Sequence, residues 1–321
     1  MSASAQAPHV DVPFTVSDLH DGWRLDAFLT ARLHRYSRAE VQRLIAEGRV
    51  ALRGKLAKRA TSVAEGDLVV VRYPRREDPP ARHERLAVLF EDEHLLAVDK
   101  PGDVLSHPTD KSTRNTATSI LKEQFPGKRL HLAHRLDRET SGVLLFSRSP
   151  EAARAVTRLF ETGKVKKEYA ALCRGKVPFA RVLVDLPLGH YGGEIKVRQA
   201  VVEGGAPAAT EFETAGRSAE ASWVLARPRT GRLHQIRAHL AALGHPVLGD
   251  KLYSDGGETY LKACRHELGE ADVAALGAPR QMLHARRLAL PHPVLGTALT
   301  IEAPLPADFR EAGRFHGLPN I

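Results

Sequence analysis

The chain has 321 residues, 43% of them hydrophobic and 26% charged, a globular composition that is too long for one small domain and predicts two domains with sizeable cores. Lys and Arg outnumber Asp and Glu by 47 to 38, a net charge of +9, which attracts polyanions and makes nucleic acid the first partner to consider. Two cysteines outside any CxxC, Cys173 and Cys264, exclude a disulfide framework and a thiolate zinc site.

The opening MSASAQAPHV has no basic-then-apolar leader pattern, and no run approaches the ~18 apolar residues of a membrane span. A cytoplasmic protein without a membrane partner is therefore expected. In chain order, residues 1–21 predict a loosely held tail and residues 22–73 a small α/β domain. Leu25, Phe28, Leu29 and Leu33 share one face of a helix. Ser37 with Glu40 forms a capping box that starts a second helix, whose buried stripe is Val41, Leu44 and Ile45 and whose stop is Gly48. Short strands follow at Val50–Leu52 and Leu68–Val71, with a turn at Arg53-Gly54-Lys55.

Eleven basic side chains face five acidic ones across residues 22–73, so +6 of the chain's +9 lies in this segment. A solvated charged face is one reading of such a run. Grouped around one capped helix and one hairpin, Arg38, Arg43, Arg49, Arg53 and Lys55 also suit phosphate contacts. The ordered signals RLDAFL, YSRAEVQRLIAEGRVALRGK and VAEGDLV resemble the S4 RNA-binding domain. Arg53 stands where that family usually has Asn before the turn glycine.

The Pro-rich, mixed-charge stretch 74–85, PRREDPPARHER, reads as a linker. Residues 86–309 read as a second, α+β domain and residues 310–321 as a loose tail. A hairpin is expected at Leu86–Phe90 and Leu95–Val98, then a proline-held loop from Lys100 to Pro108. The stretch from His131 to Gly142 runs into the buried-strand pattern Val143–Phe146, and in it Asp137 is flanked by Arg135 and Arg138. Nearby guanidinium groups favour an ionised carboxylate, able to act as nucleophile or base; a structural Arg–Asp pair is the alternative. His131 and His134 lack a third ligand at metal spacing, Ser141 is not in a G-x-S-x-G elbow, and no G-x-G-x-x-G or Walker sequence occurs. Neither a metal site nor a nucleotide cofactor is expected from these residues. Gln235–Leu243 reads as an amphipathic helix, on which Arg237 taken alone would be a surface charge.

HRLDRETSG at His134–Gly142 resembles the HRLDxxTSG signature of the RluA-type pseudouridine synthases. KPGDVLSHP at Lys100, KKEYAALCRG at Lys166, a middle segment from Glu194 to Phe212, RTGRLHQIRAHLAALGHPVLGDKLY at Arg229 and LHARRLALPHP at Leu283 agree in order. With the S4-like segment the likeness covers about Gly22 to Phe309. Departures are Gly102 and Ser106 in the KPxG loop, and Leu233 where Thr is common.

The resemblance implies an α+β protein: a small S4-like domain, then a mixed, largely antiparallel sheet with a central cleft. It implies a cofactor-free isomerisation of uridine to pseudouridine, the base cut from N1, turned and rejoined through C5. Asp137 matches the catalytic carboxylate; attack at ribose C1′, attack at uracil C6 and a glycal route all stay open. Tyr169 matches the tyrosine stacked on the flipped uracil, Arg237 the arginine that pairs with the carboxylate, and Arg135 the arginine that fills the vacated stack. Thr140, Lys167, His234 and Gln235 fall at substrate-side positions. The S4-like segment and the length point to the branch that modifies large-subunit ribosomal RNA; a monomer is expected. The rival readings are a transfer RNA enzyme of the same family and a non-catalytic RNA-binding assembly factor, with a hydrolase a distant third.

Overall fold

The computed structural model describes residues 9–33, 36–74, 82–109, 112–193, 195–265, 267–318 and 321. It divides into two units, Met1–Asp78 and Pro79–Ile321. Most of the stretch expected as a linker, residues 75–81, lies outside the described residues; at its end, His83 Nε2 meets Asp103 Oδ1 at 2.9 Å.

The first unit holds β1 (His9–Thr15), α1 (Leu25–Arg32), α2 (Arg38–Ala46), β2 (Val50–Leu52), β3 (Lys55–Leu56) and β4 (Leu68–Pro74). Its sheet runs β1-β4-β2-β3. The capping box is formed: Ser37 Oγ accepts from Glu40 N–H, and Glu40 Oε2 accepts from Ser37 N–H at 2.7 Å. Both Arg53 and Gly54 take the left-handed region, φ 53° and 76°, the demand of a two-residue hairpin turn. The core joins Phe28 and Leu29 of α1 and Val41 of α2 to Val50, Val69 and Val71. Of the expected loose tail 1–21, residues 1–8 lie outside the described residues; from His9 on the expectation is corrected, because β1 pairs with β4 along its whole length. Pro13 hid this strand, yet at a sheet edge its missing N–H costs nothing.

The second unit holds β5 (Ala87–Glu91), β6 (Leu95–Lys100), α3 (Ala117–Gln124), β7 (His131–Leu132), β8 (Ser141–Ser147), α4 (Pro150–Glu161), β9 (Lys166–Arg174), β10 (Arg181–Asp185), β11 (Leu188–His190), β12 (Gln199–Val201), β13 (Ala209–Arg217) and β14 (Ala221–Pro228). Then come α5 (Gln235–Ala242), α6 (Glu258–Arg265), α7 (Glu270–Leu276), β15 (Leu283–Pro291), β16 (Ala298–Glu302) and α8 (Ala307–Phe315). Its main sheet runs β10-β13-β14-β9-β15-β8-β6-β5, with β16 beside β15 and β7 beside β8. All these pairings are antiparallel except β8 with β15, which meet in parallel at only two residue pairs, Ser141–His284 and Gly142–Ala285. The architecture is thus α+β with a mixed, largely antiparallel sheet, and its narrowest seam lies where the Asp137 loop enters β8.

Two further expectations are corrected. Residues 310–318 of the expected tail are not loose: Ala312 of α8 and Leu318 are in the core. The helix at Gln235 is not amphipathic but buried on every side from Gln235 to Leu240, Arg237 and His239 included.

Candidate active site

The Asp137 loop is fixed by what flanks it. Thr140 N–H donates to the Asp137 carbonyl at 3.1 Å, closing a turn that delivers the chain into β8. Two residues later Gly142 has φ 107°, and a Cβ there would overlap the Ala285 carbonyl across the parallel seam, so only glycine suits this position. Glu139 accepts from Lys251 Nζ at 2.8 Å and from Gln281 N–H at 3.1 Å. Lys100 is fully buried; its Nζ donates to the carbonyls of Pro101, Val104 and Arg138 at 2.8, 2.6 and 2.9 Å. Burial, with Arg280 adding to it, brings its pKa down to about 7.

Arg237 reaches this loop from the first turn of α5. Its Nη1 donates to Asp137 Oδ2 at 2.8 Å, while Nε and Nη2 grip both oxygens of Asp250 at 2.6 and 2.8 Å. Asp250 is fully buried and accepts from Leu252 and Tyr253 N–H at 2.9 and 3.2 Å. The Tyr253 ring lies 5.1 Å from the guanidinium. Burial pushes the Asp137 carboxyl up, but the Arg237 charge and His234 beside it outweigh burial and hold it below the usual carboxylate value. Burial opposes the Arg237 charge, and the two carboxylates overcome that and raise its pKa.

His234 caps α5 in the left-handed region, φ 55°. This strained conformation places its Nε2 at 3.9 Å from Asp137 Oδ2 and its ring edge-on to Tyr253. Burial, reinforced by Arg237, lowers its pKa to about 4, so the ring is neutral at pH 7. Tyr169 faces the same space from β9, and burial together with the Asp137 charge raises its hydroxyl pKa.

One cleft of about 450 Å³ is lined by all eight residues expected there: Asp137, Tyr169, Arg237, Arg135, Thr140, Lys167, His234 and Gln235. Arg135 is exposed at its rim. Not every side chain turns its polar atoms to the space. Gln235 Oε1 accepts from Thr230 Oγ1 and Arg232 N–H, and its Nε2 donates to Ala209 C=O and Thr210 Oγ1, which makes it a loop clamp. Thr140 Oγ1 accepts from Gln281 Nε2 at 2.6 Å, and Lys167 Nζ donates to Thr230 C=O at 2.9 Å. The side chains of Gln235 and Thr140 thus shape the cleft wall as well as line it.

Other candidates resolve into packing. His134 Nε2 accepts from Leu145 N–H at 3.2 Å. Ser141 Oγ lies 2.9 Å from His284 Nδ1, but both are buried and His284 Nε2 is tied to Ala303 C=O at 3.3 Å; the pair pins β8 to β15. Sequence reasoning missed Asp250, although it lies inside a quoted motif, since nothing in a linear spacing marks a carboxylate that will meet Arg237 from a separate turn.

In the first unit the basic residues sort themselves. Arg24 and Arg38 reach the fully buried Asp26 at 3.0 and 3.4 Å. Arg43 and Arg49 lie at 3.8 and 2.9 Å from Glu47. Arg53 closes both nitrogens on Asp67 at 2.6 and 2.7 Å, so the fork expected to hold phosphate already holds a carboxylate. Lys55 is exposed, and among the described residues no carboxylate stands within ion-pair distance of it.

Residues 94–242 match the RNA pseudouridylate synthase family and residues 23–69 the S4 domain. The ribosomal large subunit pseudouridine synthase D of Nitrosomonas europaea is 33% identical over 96% of this chain and 88% of its own length. That of Vibrio vulnificus is 30% identical over 98% and 99%. Among solved structures, human RNA pseudouridylate synthase domain containing 1 is similar at 30% identity, covering 70% of this chain and 86% of that one with a TM-score of 0.56.

Proposed function

Because the chain belongs to the RNA pseudouridylate synthase family, and is thus an isomerase acting on RNA, we propose that it converts uridines of large-subunit ribosomal RNA to pseudouridine with Asp137 as the reacting carboxylate. The observation that carries this reading is Asp137 itself, an ionised carboxylate held by Arg237 at 2.8 Å in a cleft of about 450 Å³, room for one nucleoside. The isomerisation breaks the bond between N1 and C1′ and makes one between C5 and C1′; the C5 proton leaves and N1 gains one, so nothing external is consumed. Asp137 starts this by attack at C1′, by attack at C6 or by removing a ribose proton. In every route the freed base must stay beside it, which suits a walled cleft with the Tyr169 ring as platform. Arg135 at the rim suits the space left by the extruded base. Arg237 keeps the carboxylate charged and aimed, with His234 beside it.

The large-subunit target is supported by relatives of that name that match along nearly the whole chain, S4 segment included. In this reading the enzyme is a cytoplasmic monomer that needs neither metal nor cofactor. Pseudouridine mapping of total RNA from cells lacking the gene, complemented with wild type or Asp137→Asn, tests it. The expected result is loss of specific pseudouridines in large-subunit ribosomal RNA, restored by wild type alone. Loss confined to transfer RNA would move the target, and restoration by Asp137→Asn would remove the catalytic role.

A further inference from the structure

Asp137 sits between two residues whose backbone is gripped from one side by the last residue of β6 and the loop that follows it. Lys100 Nζ holds the carbonyl of Arg138, the residue after Asp137. Ser106 holds the residue before it: its Oγ donates to Leu136 C=O at 2.8 Å and accepts from Leu136 N–H at 2.9 Å. Ser106 and Leu136 are both buried, so water does not offer these two backbone groups a substitute. A hydroxyl that donates and accepts to one peptide unit on each side of a residue leaves that unit little freedom to turn.

Gly102, earlier in the same loop, bears on the same stretch. A Cβ on Gly102 would run into the side chain of Arg280. That side chain donates from Nη1 to Glu139 C=O at 2.8 Å while pairing with Asp308, a third grip on the Asp137 loop. Ser106 and Gly102 therefore act on the same few residues of backbone.

We propose that Ser106 is a positioning residue for Asp137: by fixing both polar groups of Leu136 it sets the direction in which the neighbouring carboxylate leaves the loop, toward Arg237 and the cleft. The proposal rests on Asp137 being the reacting group. A small misplacement of such a group slows the chemical step more than it weakens binding.

The test is single-turnover pseudouridine formation with saturating enzyme on an RNA fragment the wild type modifies, beside RNA affinity and thermal unfolding of each variant. Ser106→Ala is expected to lower the single-turnover rate tenfold or more and leave RNA affinity within twofold. Ser106→Thr is expected to recover most of the rate, since it keeps the hydroxyl. A folded Ser106→Ala within twofold of the wild-type rate overturns the proposal, as does an affinity loss that matches the rate loss, or a folded Ser106→Thr as slow as Ser106→Ala. If Ser106→Ala does not fold, Ser106→Cys, which keeps the volume but bonds weakly, takes its place, and a rate equal to that of Ser106→Thr overturns the role. Asp137→Asn is run alongside. Activity in that variant removes the catalytic reading and this proposal with it, whereas an inactive Asp137→Asn with a fast Ser106→Ala removes the positioning role alone.

Discussion

Arg237 divides one guanidinium between two carboxylates, and that division decides what each substitution does. Asp137, lowered below its ordinary value, is ionised through the neutral range and gains its proton only as pH falls, so both its reactivity and its contribution to stability are lost on the acid side. Arg237→Met removes the cation, and the acidic limb of the single-turnover pH profile is expected to move to higher pH. The same change leaves Asp250 fully buried without its partner, a loss on the order of 3–5 kcal/mol when one side of a buried pair is removed. Adding Asp250→Asn is expected to return much of the stability in denaturant unfolding while leaving the limb where Arg237→Met put it. Tyr169 behaves differently. Its hydroxyl stays protonated, because burial and Asp137 raise its pKa, so the ring is the part the reading requires. Tyr169→Phe is expected to keep most of the single-turnover rate and Tyr169→Ala to lose about 1–3 kcal/mol of stacking, roughly 5- to 150-fold; equal losses in both variants would assign the role to the hydroxyl. At this scale the sequence motif indicated the pair Asp137 and Arg237, but a motif is linear. Asp250 and Ser106 take their meaning only from which backbone or guanidinium the folded chain brings to them.

Among the elements, β8 joins the two halves of the main sheet. Gly142→Ala would place a Cβ against the Ala285 carbonyl in a backbone conformation of φ 107°. Backbone strain and overpacking each cost about 1–3 kcal/mol. The variant is expected to lose about 2–6 kcal/mol in equilibrium unfolding, and activity with it, because the Asp137 loop feeds that strand; a change under about 1 kcal/mol would mean the seam yields easily. Elements carrying a local signal were legible: the capping box announced α2, and an unbroken apolar run announced β8, buried throughout. Those whose logic is tertiary were not. β1 contains Pro13, which argues against a strand until the strand is known to lie at an edge. In α5 the polar Arg237 and His239 mimic an outer face, yet Arg237 is matched by Asp137 and Asp250, and His239 Nδ1 and Nε2 lie 2.9 Å from Thr210 Oγ1 and 3.0 Å from Leu186 C=O. α8 follows its cap Pro306, and beyond Phe309 it is held by Ala312 and then Leu318, widely spaced anchors that a compositional reading of a terminus passes over.

For the whole molecule, charge and chemistry fall in different units. The segment 22–73 carries +6 of the net +9, while every residue of the cleft lies in Pro79–Ile321. The first unit's core cluster contains no residue of the second, so removing residues 1–78 strips no side chain from the clusters that surround the cleft. The truncated protein is expected to fold and, at saturating enzyme, to form pseudouridine at a single-turnover rate close to that of the full chain on an RNA it accepts. Affinity is expected to fall, and the slope of log affinity against log salt to become shallower by roughly 0.7–0.9 for each phosphate the protein no longer neutralises. Paired arginines do not count equally in that slope. Arg53 must give up Asp67 to hold a phosphate, while Lys55 has no such competitor among the described residues, so Lys55→Ala is expected to change the slope more than Arg53→Ala. The loss on truncation is expected to be largest on the natural structured target, where a second point of attachment raises the effective concentration of the cleft around its uridine. A folded truncation that binds this target with unchanged affinity and unchanged salt slope would reduce the basic cluster to a solvated surface and leave RNA selection to the cleft and its rim.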